Sequence, residues 1–176
     1  MNKFSLKEHL QAVLNSYAST FKETSYDEEN KQHLCSDATT TNVYDFDAYI
    51  AASHDKSSLP ASPDAIYLGQ KHLYFVEFKN QLSRDIDKAQ IQRKFCNGTK
   101  ILKDMLEEFT PKDCCYHFCV VFKDTSKPRY FDSRHIENTA VRFGLQALNE
   151  QLGGFYDQVF TENLGFYVEK FTQLKC

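Results

Sequence analysis

Two short apolar runs separated by a polar turn constrain this chain more than any other feature of its sequence. The runs are DAIYL, which begins at Asp64, and HLYFVEFKN, which begins at His72, with a turn at Gly69 to His72. Apolar runs joined by a glycine-containing turn predict a β-hairpin. If Leu68 faces Leu73 across the turn, the same antiparallel register places Asp64 opposite Glu77.

The predicted hairpin gathers charged side chains on one of its faces. Because side chains alternate along a strand, Glu77 and Lys79 project from one face, and Val76 and Phe78 project from the other. Side chains directly opposed in an antiparallel pair lie about 5 Å apart at Cβ, so Asp64 and Glu77 can share a divalent cation. Charges on an otherwise apolar hairpin are costly without such compensation, which makes this face a candidate functional site.

These residue types predict a particular chemistry. Carboxylate and carbonyl oxygens suit Mg²⁺ or Mn²⁺, so Asp64, Glu77 and the main-chain carbonyl of Phe78 are the expected metal ligands. A metal of this kind lowers the pKa of a bound water and neutralises charge on a phosphate. Lys79 would orient that water or help to deprotonate it, and would stabilise developing negative charge. The pattern therefore predicts phosphodiester hydrolysis with Asp64, Glu77 and Lys79 as catalytic residues.

The segments around the hairpin predict the order helix, strand, strand, strand, helix, strand. A first helix is predicted from about residue 6 to 21, since apolar residues recur there at steps of three and four behind a Ser5 and Glu8 capping box. Residues 22–42 are expected to form a loop, either plain or with a helical turn, and residues 43–52 either a strand or the start of a short helix.

The second half of the chain carries the remaining predicted elements. A long helix is predicted from residue 83 to about 109, with a kink or break at Asn97-Gly98, followed by a strand at 116–122. A loop around Pro128 then leads to a helix at about 134–152, which Gly153-Gly154 ends. The tail from residue 155 onward is ambiguous between a strand pair and packing turns.

The motif SPD at residues 62–64, followed after twelve residues by EFK at 77–79, resembles the motif of the PD-(D/E)xK nuclease superfamily. This group includes restriction endonucleases and repair and recombination nucleases. The resemblance covers about residues 5–122 and implies an α/β fold, restriction-endonuclease-like, whose α-β-β-β-α-β core has a mixed central sheet flanked by helices. It places the family's metal-binding aspartate at Asp64, its acidic strand residue at Glu77 and its lysine at Lys79.

Under this resemblance the chain is a single nuclease-like domain spanning residues 1–176, with residues 123–176 forming a C-terminal helical extension. Many members of the family add a third carboxylate from the first helix. Glu8 has that location, but its spacing from Ser5 favours a capping role. The candidates left open by the sequence are Glu8, Glu23, Glu28, Glu29, Asp45 and Asp47.

A basic segment follows the hairpin. Five basic residues and no acidic ones occur between Lys88 and Lys103, in a chain whose net charge is -3. That net charge argues against coating nucleic acid by bulk charge, but the local surplus predicts contacts with a nucleic-acid backbone, DNA in the first place. A solvated helix face is the alternative for each residue taken singly. The predicted contact residues are Gln81, Lys88, Arg93, Lys94 and Lys100.

Composition limits the remaining possibilities. The 176 residues are 41% hydrophobic, which suits one domain with a core, and no stretch approaches the roughly 18 apolar residues of a membrane span. We therefore expect a cytoplasmic protein whose six cysteines are reduced thiols. The group Cys114, Cys115, His117 and Cys119 admits a zinc or iron-sulfur site, but cysteine is also a common small apolar residue in a buried strand.

Two functions of different kinds follow from these observations. The first is an active Mg²⁺-dependent or Mn²⁺-dependent endonuclease acting on DNA. The second keeps the fold without catalysis, as a binding module that serves as a structural subunit, an immunity-like protein or a nucleic-acid adaptor. The acidic net charge and the lack of a clear carboxylate from the first helix motivate the second function. The sequence leaves open a homodimer or a different protein partner.

Overall fold

A computed structural model of the chain describes residues 5–106, 114–123 and 143–176. Short 3₁₀ turns at Asn15–Tyr17 and Lys56–Ser58 accompany the regular elements. In chain order the described helices and strands are α1 (Leu6–Leu14), β1 (Ala18–Ser19), α2 (Phe21–Thr24), β2 (Tyr26–Asp27), β3 (Gln32–His33), β4 (Val43–Asp45), α3 (Phe46–Ser53), β5 (Ala65–Leu68), β6 (His72–Lys79), α4 (Lys88–Met105), β7 (Cys115–Phe122), α5 (Leu145–Gln151), β8 (Gln158–Asn163) and α6 (Leu164–Lys170).

Six strands form one mixed sheet in the order β1-β4-β5-β6-β7-β8, and β2 pairs with β3 in a separate two-stranded sheet. The pairs from β1 to β6 are antiparallel, whereas β6 with β7 and β7 with β8 are parallel. A parallel pair needs a crossover connection, and α4 lies in the connection between β6 and β7. The predicted α/β class, a mixed sheet flanked by helices, is therefore confirmed at this level.

The hairpin of β5 and β6 has the predicted register. Leu68 pairs with Leu73, and the ladder continues to Ala65 opposite Val76. Asp64 is the residue directly before this ladder, and the same register continued by one residue places it opposite Glu77. The local pattern of apolar residues was sufficient to fix this register, since a slip of one residue would reverse the two faces of the strand.

The sheet separates two apolar cores. On one face, Phe75 and Phe118 pack with α1 and with Ile91 and Phe95 of α4. On the other face, Val76, Phe78, Cys119 and Val121 pack with residues that include Phe21 and Tyr167. Alternation along β6 therefore directs Glu77 and Lys79 toward the α4 side, as their spacing predicts. Cys119 is fully buried in β7, in the role of a small apolar residue.

The predicted first helix is too long at its C-terminal end. The capping box of Ser5 and Glu8 is present, but α1 ends at Leu14. Its buried residues belong to the core on the α4 side, whereas Phe21 lies in α2 and in the opposite core. One straight helix cannot supply both sides of a sheet, so the chain turns and adds β1 before α2.

Of the two segments that follow, the first contains more regular structure than predicted and the second satisfies both of its predicted alternatives. Residues 22–42 contain the end of α2, which agrees with the helical turn allowed there, and also the small β2 and β3 hairpin, which was not predicted. Residues 43–52 satisfy both alternatives in turn, since β4 ends at Asp45 and α3 begins at Phe46. The Asp45 carboxylate accepts a hydrogen bond from the Ala48 amide at 2.8 Å and so caps α3.

Of the two alternatives predicted at Asn97-Gly98, a kink or a break, the break is wrong, because α4 runs without interruption from Lys88 to Met105. The helix begins later than predicted, after its cap Asp87, and the predicted end near residue 109 lies outside the described residues. A Cβ atom at position 98 would lie only 2.6 Å from Cδ of Pro63. The glycine therefore serves close packing of residues 62–64 against α4, which outweighs its weak helix propensity.

The C-terminal part corrects the expectation of a purely helical extension. Residues 134–142 of the predicted helix, like the loop around Pro128, lie outside the described residues, and α5 occupies Leu145–Gln151. The tail forms neither a strand pair nor only turns. It adds β8 parallel to β7, with Phe118 aligned to Val159, and then α6. Within the described ranges, no helix has the length and apolar composition required to cross a lipid bilayer.

The contact between Gly98 and Pro63 generates a stability prediction. Gly98→Ala is expected to destabilise the fold by about 1–2 kcal/mol, because the clash with the proline ring exceeds the gain of about 1 kcal/mol in helix propensity. In a Pro63→Ala background the same change should cost much less. Urea unfolding of the wild type, both single variants and the double variant measures this coupling. Equal costs of Gly98→Ala in both backgrounds would contradict the close-packing explanation.

Candidate carboxylate and lysine site

Four elements place charged side chains at one point on the α4 side of the sheet. They are α3, the residues leading into β5, the end of β6 and the middle of α4. Two carboxylates, Asp64 and Glu77, meet there with the ammonium groups of Lys79 and Lys94. The structure thus brings together the three residues predicted to be catalytic and adds a fourth.

Asp64 is held at the start of the hairpin by its main chain and its side chain. Its carbonyl accepts a hydrogen bond from the Phe46 amide at 3.0 Å, which ties it to the start of α3. Its carboxylate oxygen Oδ2 accepts from the Phe78 amide at 2.6 Å. The other oxygen, Oδ1, accepts from Nζ of Lys94 at 2.9 Å. The orientation of this carboxylate is therefore fixed by both the strand and the helix.

Glu77 has 0% of its surface exposed. Among the described residues it is the only Asp, Glu, Lys or Arg that is buried. Its Oε2 accepts a hydrogen bond from Nζ of Lys94 at 2.9 Å. Its Oε1 lies 3.2 Å from Nζ of Lys79. This contact lacks hydrogen-bond geometry, and Oε1 has no hydrogen-bond partner among the described groups. A buried carboxylate is costly unless it is paired, so Glu77 depends on these two lysines.

Lys94 has a role that the sequence interpretation missed. It was predicted as a nucleic-acid contact, but its ammonium bridges Asp64 and Glu77, and only 13% of its side chain is exposed. Lys94 lies four residues after Gln90 and directly before the buried Phe95, at the border of the apolar face of α4. The sequence feature that could have indicated this role is a lysine at the border of an apolar helix face, opposite a strand with buried acids.

Lys79 lies beside this bridge rather than within it. Its ammonium donates to Oε1 of Gln90 at 2.7 Å and contacts only one oxygen of Glu77. Gln90 and Lys94 are one helical turn apart, so α4 presents an amide to one lysine of the site and supplies the other lysine itself.

Asp47 is the candidate third carboxylate that the structure places nearest to the bridge. It lies in α3, accepts a short hydrogen bond from the Ser62 hydroxyl, and has Oδ2 4.0 Å from Nζ of Lys94. The other candidates have other locations. Glu8 caps α1, Asp45 caps α3, Glu23 lies in the first turn of α2, and Glu28 and Glu29 lie between β2 and β3.

The pKa values in the cluster show that its negative charge is only partly compensated. Burial and then the Asp64 carboxylate raise the pKa of Glu77 to about 8, although Lys94 and Lys79 oppose this shift. Burial and then Asp64 raise the pKa of Asp47 to about 6, although 51% of its side-chain surface is exposed. Burial acts to lower the pKa of Lys94, but the surrounding carboxylates outweigh it and raise that pKa above its ordinary value. The cluster can therefore accommodate additional positive charge.

The residues predicted to contact nucleic acid do not form one surface. Arg93 and Lys100 are exposed and lie seven residues apart, on one stripe of α4. Lys88 lies elsewhere, with its side chain close to Gly144, which precedes α5. Gln81 is exposed and follows the end of β6 at Lys79, so it lies outside that strand.

The donor chemistry of the cluster fits a hard divalent cation. Lys94 is a cationic group held at 2.9 Å by both carboxylates, so Asp64 and Glu77 can reach a common positive charge. Among the described residues, no group of three or more His, Cys, Asp or Glu side chains is arranged to hold a metal ion. Two carboxylates would suffice for Mg²⁺, which usually keeps several waters. Phe78 donates its amide to Asp64, and its carbonyl remains a predicted ligand.

Comparison with known proteins leaves these observations without an assigned family. A scan against protein-family models, a search of curated proteins and a search of solved structures each found no match. The interpretation of the site therefore depends on its geometry and chemistry.

Replacement of Asp64 separates its two structural roles. Asp64→Ala is expected to lower the free energy of unfolding by about 2–3 kcal/mol, because the Phe78 amide loses its acceptor and Lys94 loses one carboxylate. Asp64→Asn should cost less, since the amide oxygen can still accept from Phe78. Urea denaturation of the three proteins without divalent metal measures the difference. Equal stability of Asp64→Ala and the wild type would contradict these contacts.

Proposed function

We propose that this chain is a metal-dependent nuclease that hydrolyses phosphodiester bonds, with DNA as its substrate. The observation that carries the proposal is the convergence of Asp64 and Glu77 on one cationic group, beside the ammonium of Lys79. Paired carboxylates that reach one cation next to a lysine are suited to phosphate chemistry, because the phosphate and the departing oxygen are both negatively charged.

The order of elements supports a more specific proposal, membership of the PD-(D/E)xK superfamily. Along the chain, α1, β4, β5, β6, α4 and β7 follow the α-β-β-β-α-β order that the sequence resemblance implies, with further short elements inserted. The SPD segment leads into β5 and the EFK segment ends β6. We infer a restriction-endonuclease-like core from this order together with the position of the charged cluster.

In this mechanism Asp64 and Glu77 would hold Mg²⁺ or Mn²⁺, with the Phe78 carbonyl as a further ligand. The bound metal would supply an activated water and neutralise charge on the scissile phosphate. Lys79, positioned by Gln90 and Glu77, would orient the attacking water and stabilise the negative charge that develops. Burial of Glu77 keeps these groups in a weakly screened environment, where their electrostatic effect is greatest.

The basic stripe of α4 suggests how DNA would lie. Arg93 and Lys100 are exposed on the helix that also supplies Lys94 to the site. Contacts between these side chains and the phosphate backbone would position the duplex without reading its sequence. Such binding weakens steeply with salt, since each contact releases counterions from the DNA.

A second candidate function is favoured by one observation, the bridge formed by Lys94 itself. An ammonium group at 2.9 Å from both carboxylates already compensates much of their charge. A chain of this fold could therefore act without metal as a structural subunit, an immunity-like protein or a nucleic-acid adaptor. In that case a homodimer or another protein partner would be its functional context.

Cleavage of plasmid DNA tests the nuclease proposal directly. With Mg²⁺ or Mn²⁺, the wild type is expected to nick the plasmid, and Glu77→Gln or Lys79→Met should reduce the rate by about 100-fold or more. Glu162→Gln is a matched control, because Glu162 is a partly buried acid on β8 of the same sheet. Gel analysis of nicked and linear product measures the rates. Equal nicking by Glu77→Gln and the wild type would refute the catalytic assignment.

The DNA surface has its own test. Arg93→Ala combined with Lys100→Ala is expected to weaken binding to a labelled DNA duplex and to reduce the slope of log affinity against log salt by about two. Lys56→Ala combined with Lys175→Ala removes the same charge from other exposed positions and should leave the slope unchanged. Fluorescence anisotropy across a range of salt concentrations, with Ca²⁺ as the divalent ion, measures both. Equal slopes in the two double variants would argue against this surface.

A further inference from the structure

The position that a divalent cation would take between the two carboxylates is held by a side chain of the protein itself. Nζ of Lys94 lies 2.9 Å from Oδ1 of Asp64 and 2.9 Å from Oε2 of Glu77, and 4.0 Å from Oδ2 of Asp47. Its side chain is 13% exposed, so solvent screens these contacts only weakly. Of the described ion pairs, those of Lys94 are the ones in which a single cation serves several acids.

We propose that Lys94 is an intramolecular counter-ion that a divalent metal must displace, and that the displaced ammonium then binds a phosphate of the nucleic acid. The inference rests on the proposed nuclease function and adds to it a residue with two alternating partners. Lys94 would hold the carboxylates in place before the metal arrives and contribute to substrate binding afterwards.

Electrostatics makes simultaneous occupancy unfavourable. Mg²⁺ or Mn²⁺ held by Asp64 and Glu77 would compete with Lys94 for the same two carboxylates, because these ions bind carboxylate oxygens at about 2.1 Å, closer than an ammonium does. A monovalent and a divalent cation a few ångströms apart repel strongly in a buried environment. The flexible stem of lysine, with its four carbons, allows the ammonium to move away while Cα stays fixed in α4.

The neighbouring groups distinguish Lys94 from Lys79. Lys79 contacts one carboxylate oxygen and has a neutral partner, Gln90, which a metal would not remove. The partners of Lys94 in the cluster are all carboxylates. If a metal binds Asp64 and Glu77, the Lys94 ammonium therefore requires another anion as its partner. One residue before it, Arg93 is exposed on the surface where we propose that the DNA backbone binds. A phosphate of bound DNA is therefore the anion that the proposal assigns to Lys94.

Metal binding measured without DNA tests the first half of the proposal. Isothermal titration of the full chain with Mn²⁺ is expected to show binding about tenfold or more tighter in Lys94→Met and Lys94→Gln than in the wild type, because the competing charge is gone. Lys94→Gln keeps a hydrogen-bond donor to the carboxylates and serves if Lys94→Met does not fold. Lys100→Met removes an exposed charge from the same helix and should leave Mn²⁺ affinity close to that of the wild type.

Binding of a fluorescein-labelled DNA duplex in saturating Ca²⁺ tests the second half. The Lys94 variants are expected to bind the duplex several-fold more weakly than the wild type, although they bind metal more tightly. Opposite changes in the two affinities are the signature of the proposal, because a residue with only a structural role would not strengthen metal binding.

The outcomes separate this inference from the proposed function. If the wild type binds Mn²⁺ and the Lys94 variants bind it equally or more weakly, the counter-ion role is refuted while the nuclease proposal stands. If the variants bind Mn²⁺ more tightly but bind DNA as well as the wild type does, the phosphate role is refuted. Absence of Mn²⁺ binding in the wild type and in both variants would overturn the nuclease proposal together with this inference.

Discussion

The burial of the Glu77 carboxylate is the constraint on which the arrangement of the site depends. A carboxylate with none of its surface exposed requires compensating charge at short range, and the chain supplies it from β6 itself through Lys79 and from α4 through Lys94. The second lysine can reach Glu77 only if α4 lies close to the sheet at that point. Close approach is provided where Gly98 packs against Pro63, directly beside Asp64. The residues that form the site are therefore also among those that fix the helix on the sheet.

The topology explains why these groups meet. Strand β6 is internal to the sheet, antiparallel to β5 on one side and parallel to β7 on the other, with Glu77 aligned to Val120. The parallel pairing requires a crossover, and α4 returns over the same face of the sheet toward which Glu77 and Lys79 project. The antiparallel pairing brings Asp64 to the same end of β6. An acid before one strand, an acid within the next and a lysine on the crossover helix thus converge from three elements.

The sequence predicted the parts of this arrangement that depend on local pattern. Alternation within residues 64–79 was sufficient for the hairpin and its register, and the spacing of Ser5 and Glu8 was sufficient for the capping box. The bridge by Lys94 was missed because it depends on the rotation of α4 about its axis, which packing between residues distant in sequence determines. Gly98 illustrates the same limit, since its local propensity predicts a break and only its contact with Pro63 explains a continuous helix. The end of α1 and the addition of β8 likewise follow from which core each segment joins.

The energetics of the cluster bear on why a chain would retain it. Replacing a buried ion pair with apolar residues of similar volume is often neutral or stabilising, so the Asp64, Glu77 and Lys94 contacts are a poor means of stabilising a fold. The core on this side of the sheet is built from aromatic and aliphatic side chains, including Phe75 and Phe95. Three acids and two lysines instead converge there, and the pKa of Glu77 remains raised despite both ammonium groups. A cluster that apolar side chains could replace without loss of stability, and that still attracts further positive charge, is consistent with a cationic ligand, and a divalent cation beside a phosphate is the ligand that we propose for it.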